Sequence, residues 1–382
     1  MPAKKEHICG ASQFKGSPHG QITLVLQGGG ALGAYQAGCY QAMTEAGFEP
    51  HWVIGTSIGA MNAAIIAGNP PDQRLAKLRE LWRCLEYGVP VKAASAFPMF
   101  GGQLATWMTM MAGLDNFFTP NVAAFTSPYM PLGSDGAGYY STERLKRTMT
   151  DLIDFGRVNE LEIRLTVGAA NVRTGEMRYF DSRDEPLSLS HVLASGALPP
   201  AFPAVRVDGE LYWDGGILSN TPVEAVFDDM DRRSGLIFAV HMWNPRGAEP
   251  GTIAEVMSRQ KDLQYASRAR SQIRRQQELH RLRHVIAELA QQLPAETLDS
   301  DRGRLLAAHG CLTKMHIVRL LAPSVGANDH SKDIDFSPSS IEARWEAGYR
   351  NTSEVIQRAP WLGPSDPLDG FVLHEFDAEQ AA

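Results

Sequence analysis

The chain has 382 residues and a mass of 41.8 kDa, and 44% of its residues are apolar, which is enough for one large α/β core plus an appended subdomain and excludes wholesale disorder. A net charge of −7 argues against general nucleic-acid binding, while leaving room for local basic surfaces. The four cysteines, Cys9, Cys39, Cys84 and Cys311, are widely spaced with no CxxC pair, a pattern that suits a reducing compartment and offers no metal site.

Residues 1–20 carry Lys4, Lys5, Glu6 and His7 but no apolar core of the kind a signal peptide needs, and are expected to be a loose arm on a cytoplasmic protein. Residues 22–27, Ile-Thr-Leu-Val-Leu-Gln, read as a buried strand that runs into Gly28-Gly29-Gly30-Ala31-Leu32-Gly33, with helix-forming residues 34–46 behind. Three successive glycines are costly to order, and are tolerated where backbone N–H groups must point at a ligand near a helix amino end. Gly28, Gly30 and Gly33 satisfy GxGxxG, which suits a dinucleotide or phosphate loop. No acidic residue ends a second strand to hold a ribose, however. The next apolar run, His51-Trp52-Val53-Ile54, is followed by Gly55-Thr56-Ser57-Ile58-Gly59 and then by alanine-rich residues 60–67. Strand, tight turn and helix in that order place Ser57 at a strained elbow, with its hydroxyl exposed and a helix amino end behind it. An oxyanion hole beside a nucleophile accounts for both glycine clusters at once.

Residues 72–87 have Leu75, Leu78, Leu81, Trp82 and Leu85 at helical spacing. Residues 93–114 are uncharged, but Pro98, Gly101, Gly102 and Gln103 interrupt any continuous membrane-spanning helix. Phe97, Phe100, Trp107, Met108 and Met111 in this stretch make adaptable apolar surface, suited either to an acyl groove or lid or to plain packing. A glycine-rich loop over 133–140 precedes a helix from Ser141 toward Leu152. A strand over 161–170 turns at 171–176 into Met177-Arg178-Tyr179-Phe180. Residues 189–197 read as a short helix ending at Pro199-Pro200. Asp208-Gly209 turns the chain into Glu210-Leu211-Tyr212-Trp213, a strand that delivers Asp214. Pro222 reads as a helix start, and residues 236–241 as a core strand.

Four blocks occur in an order that resembles the patatin-like phospholipase family: Gly28 to Gly33, Gly55 to Gly59, Ala194-Ser195-Gly196-Ala197-Leu198-Pro199-Pro200-Ala201-Phe202-Pro203, and Asp214-Gly215-Gly216. The resemblance covers roughly residues 20–245, and Leu32 stands where the family often has Arg or Lys. It implies a three-layer α/β/α fold with a mostly parallel sheet and a C-terminal helical extension. It also implies a serine acyl hydrolase acting on lipid esters, with Ser57 and Asp214 as a catalytic dyad, Gly28, Gly29 and Gly30 as oxyanion donors, and neither metal nor cofactor. A Ser-His-Asp triad through His241, which follows Asp214 as in α/β-hydrolases, is the first alternative. A lipid-binding or scaffolding protein with an idle hydrolase site is the second.

After Pro250 the composition changes, so the expected domains are 21–245, the hydrolase, and 246–382, the extension. Residues 259–284 hold eight Arg or Lys against Asp262 and Glu278, with Leu279, Leu282, Ile286, Leu289 and Leu293 on a short heptad seam. This reads as a long helix or helical hairpin. Its Arg259, Arg270, Arg274 and Arg275 are expected either to touch an anionic membrane or to form a solvated face or a contact between copies. A strand over 314–321 and a final helix over 341–356, started by Ser337-Pro338, close the reading.

Overall fold

The computed structural model describes residues 19–87, 113–114, 117–127, 129–229, 231–323, 332–366 and 368–376, except for the side chains of 267–270 and 272. Phe97, Phe100, Trp107, Met108 and Met111 therefore lie outside the described residues, as does the side chain of Arg270.

Six parallel strands form the body of the sheet. In spatial order they are β11 (Phe371–Phe376), β10 (Met315–Leu321), β9 (Gly235–His241), β1 (Gln21–Leu26), β2 (Trp52–Thr56) and β5 (Arg164–Asn171). Three antiparallel strands, β6 (Met177–Asp181), β7 (Val205–Val207) and β8 (Glu210–Asp214), complete the β5 side. Two-residue strands β3 (Thr119–Pro120) and β4 (Tyr140–Ser141) pair separately. The near-continuous apolar runs of β1, β2 and β9 follow from burial on both faces. Leu24, Leu26, Val53, Phe238 and Val240 feed one core, and the alternating residues Val25, Ile54, Ile237 and Ala239 feed the other.

The first core is covered by α1 (Ala34–Glu45), α2 (Ile58–Ala67), α3 (Arg74–Cys84), α4 (Glu143–Leu152) and α5 (Leu189–Ser195). The second is covered by Val223, Val226 and Phe227 and by Ile273 of α6 (Ile253–Gln291). The basic segment is thus one continuous helix of 39 residues, opened by a Thr252–Glu255 capping box, and not a helical hairpin. Its heptad seam stays open: Leu279, Leu282, Leu289 and Leu293 are exposed. No helix among the described residues is long and apolar enough to cross a membrane.

The expected boundary at residue 245 does not divide the fold. β10 and β11 extend the same sheet beyond β9, and α7 (Pro338–Arg358) packs on α1. Their axes approach so closely that a Cβ on Gly38 would overlap the Trp345 carbonyl oxygen, and one on Gly348 would overlap that of Tyr35. Trp345 Nε1 donates to Gln41 Oε1 (2.7 Å), and Asn351 Nδ2 to the Tyr35 hydroxyl (3.1 Å), which fixes the register of the two helices. Gly348→Ala should therefore destabilise the protein by about 1–3 kcal/mol through overpacking, against an intrinsic helix preference of about 1 kcal/mol that favours alanine. Urea denaturation reads the difference directly, and an unchanged midpoint would mean that the two helices can separate freely.

Candidate active site

The site is built along one edge of β5. On that edge β2 pairs as far as Thr56 opposite Gly168, and β8 then takes over in the opposite direction with Asp214 opposite Ala169. Consecutive residues of β5 thus bring the end of β2 and the end of β8 together, although 158 positions separate Thr56 and Asp214 in the chain. Ser57 leaves β2 at φ 58°, ψ −127°, a conformation that costs a non-glycine residue on the order of 1–3 kcal/mol. Gly55 and Gly59 pack against each other under this elbow, where a Cβ on Gly55 would overlap the Gly59 carbonyl. The Ala194 to Pro203 block supplies the restraint that holds the strain. Ser57 N donates to both Oγ (3.0 Å) and O (3.1 Å) of buried Ser195, whose hydroxyl donates to Gly168 O (2.6 Å). Asp214 N donates to Ala197 O (2.9 Å).

Asp214 is only 2% exposed, its carboxylate accepts Gly216 N–H (2.7 Å), and the Ser57 side chain adjoins it. Burial lifts its pKa from 3.8 to about 6, and the Ser57 hydroxyl and the Gly216 N–H oppose that rise without cancelling it.

Gly28, Gly29 and Gly30 line the same cavity as Ser57 and Asp214, but they do not play equal parts. Gly28 N donates to Asn220 O (3.1 Å), and Gly28 O accepts from Asn220 Nδ2 (3.0 Å) and Trp243 Nε1 (2.8 Å). Its N–H is therefore not an oxyanion donor, which corrects that part of the expectation: the residue at the end of β1 is still tied to neighbouring chain. The N–H groups of Gly29 and Gly30 have no partner among the described residues, and neither does that of Ile58 at the first position of α2. Gly30 adopts φ 55°, which turns the loop beneath Asp333, whose carbonyl accepts Ala31 N–H (2.9 Å). Leu32 is buried beneath this loop and presents nothing to a ligand.

The cavity measures about 320 Å3 and is mostly apolar, with Met61, Phe117, Phe118, Phe202, Ile334 and Phe336 around the serine. Residues after 245 build one side of it. Tyr265 of α6 packs against Trp243 with ring centroids 5.0 Å apart and planes tilted by 36°, and Asp333 and Ile334 line the cavity beside the glycine loop. Two ion pairs of opposite sense tie that segment to α6: Lys261 Nζ to Asp333 (2.7 Å) and Lys332 Nζ to Asp262 (2.7 Å).

His241 does not join the cavity. It is wholly buried at the end of β9, neither ring nitrogen has a hydrogen-bond partner among the described residues, and burial with the nearby Arg319 charge holds its pKa well below 6.5. His191 is engaged in the capping box of α5, where its Nδ1 accepts Ser188 N–H (2.9 Å). Among the described residues the fold gathers one set of metal-type ligands that no spacing in the sequence shows, Glu185, His191 and Asp208, with atoms within 4.8 Å of one another; none of the three lines the cavity. On α6, the Arg259 guanidinium donates to Asn244 O (3.1 Å) and to Pro245 O, so it serves the loop after β9, whereas Arg274 and Arg275 are exposed.

Sequence reasoning missed Asn220, Trp243, Tyr265, Asp333, Ile334 and Phe336. Trp243 had a usable signal, since it follows a core strand at the carboxyl edge where open α/β sheets bind ligands. The segment 332–336 had none.

Sequence comparison bears on these same segments. A family model described as patatin-like phospholipase matches residues 24–227, and a second, described as patatin phospholipase, matches residues 263–368. An uncharacterized NTE family protein of Mycobacterium bovis is 25% identical over 254 residues, which are 65% of this chain and 58% of that protein. A cGAMP-activated phospholipase of Pseudomonas aeruginosa is 27% identical over 212 residues, 52% of this chain and 53% of that one. The lysophospholipase NTE1 of Pyricularia oryzae is 23% identical over 261 residues, 62% of this chain and 15% of its own. The chain thus spans little more than half the length of the first two relatives. Among solved structures, VipD from Legionella pneumophila superposes with a TM-score of 0.39 at 17% identity, covering 94% of this chain and 71% of that one. The first family match alone takes in more than half of the 382 residues, including the glycine loop, the serine elbow and Asp214, and so the chain belongs to the patatin-like phospholipase family.

Proposed function

We propose that this protein hydrolyses carboxylic esters of lipids through a Ser57–Asp214 dyad. The observation that carries the reading is the buried Asp214 carboxylate, which lines one apolar cavity together with Ser57. In the first half-reaction Asp214 accepts the Ser57 proton as Oγ attacks the ester carbonyl carbon. The negative oxygen so formed faces the N–H groups of Gly29, Gly30 and Ile58. Collapse breaks the bond to the alcohol, which leaves with the proton from Asp214. Asp214 then takes a proton from water as the water attacks the acyl-enzyme, and the acid is released as Ser57 regains its proton.

An aspartate is a weak base toward an alcohol. The rise in the Asp214 pKa from 3.8 to about 6 makes the transfer less uphill by about 3 kcal/mol. Backbone donors held in a dry cavity supply a comparable amount, since losing one such donor typically costs about 3–4 kcal/mol. The apolar walls at Phe117, Phe118, Phe202 and Phe336 suit an acyl chain and a lipid substrate.

Ser57→Ala and Asp214→Asn should each remove nearly all turnover of a soluble short-chain acyl ester while leaving the fold intact. A fluorophosphonate probe should label Ser57, and mass spectrometry of the modified peptide checks the site. An intact protein that the probe does not label would leave lipid binding without hydrolysis as the function.

The pH profile separates the dyad from a triad. Protonated Asp214 cannot accept the serine proton, so kcat/KM should fall as pH drops through about 6, with a slope of one proton. His241→Asn should retain that limb and turnover within a few-fold. Loss of both in a folded His241→Asn protein would replace the dyad by a triad.

Asn220→Ala should lower kcat by roughly ten- to a hundredfold, by freeing the loop whose Gly28 carbonyl it holds. KM for the soluble ester should change little, and a purely structural defect would instead appear as lost stability with kcat intact.

A further inference from the structure

Between Phe118 and Tyr140, both of which line the cavity, the chain makes a closed excursion. Its neck is the β3–β4 pair, Thr119 opposite Ser141 and Pro120 opposite Tyr140. Asn121 closes the neck by donating N–H to Tyr139 O (2.8 Å) and Nδ2 to Gly138 O (3.1 Å). The neck is tied in turn to the proline block beside the serine elbow, through Tyr139 N to Pro200 O (3.1 Å) and Tyr140 N to Ala201 O (2.8 Å). The loop is therefore anchored to the rim of the cavity.

Beyond the neck the loop turns apolar side chains outward. Val122 is 74% exposed and Tyr129 93%, with Phe125 and Met130 also exposed. From Asn116 to Ser134 no residue is charged. A clustered apolar surface of this kind is uncommon on a protein that faces only water. It is also continuous with the cavity: rings follow one another from Phe336 to Phe117 (6.1 Å), Phe118 (5.4 Å), Tyr140 (4.8 Å) and Phe125 (5.9 Å).

We infer that Val122, Phe125, Tyr129 and Met130 of this loop are a docking surface for a lipid aggregate, inserting among acyl chains so that the mouth of the cavity opens onto the interface. The inference rests on the lipid-ester reading of the same cavity. An aromatic path from bulk lipid to the serine lets an acyl chain pass from one apolar medium to another without crossing water, which lowers the cost of leaving the bilayer. Because the contact is apolar and carries no charge, it should withstand salt, unlike docking through the exposed Arg274 and Arg275 of α6.

The test uses the full-length chain and phosphatidylcholine vesicles. Co-flotation is measured with the Ser57→Ala protein, to prevent turnover, at low salt and at high salt on the order of 1 M, where the Debye length is only about 3 Å. Binding should persist at high salt. Adding Val122→Ser, Phe125→Ser, Tyr129→Ser and Met130→Ser together should reduce it by about a hundredfold. In the active protein the four serines should leave turnover of a soluble short-chain ester within about twofold, and reduce turnover of vesicle-borne substrate at least about tenfold.

Flotation unchanged by the four serines would overturn the inference. So would binding abolished by high salt, or a dimer of the parent protein that the four serines convert to monomer, since the loop would then meet a second copy. Absence of soluble-ester turnover in the parent would sink the hydrolase reading, while flotation would still report on docking.

Discussion

The structure depends on the shared edge of β5. Only where β2 stops pairing can β8 enter, and the change occurs between Gly168 and Ala169, so that the residue leaving β2 and the residue ending β8 must meet. An elbow with Ser57 at φ 58° is strained, and a strained turn persists only where its surroundings leave it no alternative. Ser195 provides that restraint by bonding Ser57 and Gly168 together, so the helix that carries it, α5, is part of the elbow although it contributes no group to the chemistry. The same edge explains why Asp214 is buried: it terminates a strand that is flanked by β5 and roofed by the cavity wall.

Burial of Asp214 and the apolar lining of the cavity are one property seen from two sides. A carboxylate surrounded by water would keep its ordinary pKa and be a poorer base, while a fully unsatisfied buried carboxylate would be too costly to hold charged. Gly216 N–H and the adjoining Ser57 hydroxyl favour the charged form, enough to keep it accessible and too little to return its pKa to 3.8. His241 illustrates the opposite outcome. Burial with no hydrogen-bond partner among the described residues holds it neutral, and at the end of β9 it lies outside the cavity.

The elements with a local cause were legible in the sequence. The strand-glycine-helix start, the serine elbow, the Asn171 to Glu176 turn and the Asp208-Gly209 turn each declare themselves by residue type, and the structure places them within a few residues of the reading. β11 was not legible, because an edge strand is half exposed and its sequence, Phe-Val-Leu-His-Glu-Phe, carries polar residues that blur its pattern. The inequality of the three glycines was not legible either. Whether an N–H is free depends on a neighbour nearly two hundred positions away: Asn220 takes that of Gly28, and no described residue takes those of Gly29 and Gly30. Ser195 was visible as part of a small-residue block, but its hydrogen bonds to Ser57 and Gly168 depend on tertiary placement.

The C-terminal third changes how the cavity is understood. Read as sequence, it was an appended extension with its own domain boundary; in the fold, its strands extend the sheet and Asp333, Ile334 and Phe336 line the cavity beside the glycine loop. The reciprocal pairs Lys261–Asp333 and Asp262–Lys332 have a consequence that either pair alone would lack. Sliding the segment by one residue along α6 would bring like charges together at one position or leave a half-buried charge unpaired at another, so the pairs specify register as well as proximity. That register sets Asp333 O on Ala31 N, which fixes the turn of Gly30, and this turn holds the Gly29 and Gly30 N–H groups, unpartnered among the described residues, in the loop that lines the cavity with Ser57. A chain of contacts thus runs from charges on α6 to the backbone donors beside Ser57, and the two family segments, 24–227 and 263–368, act as parts of one cavity.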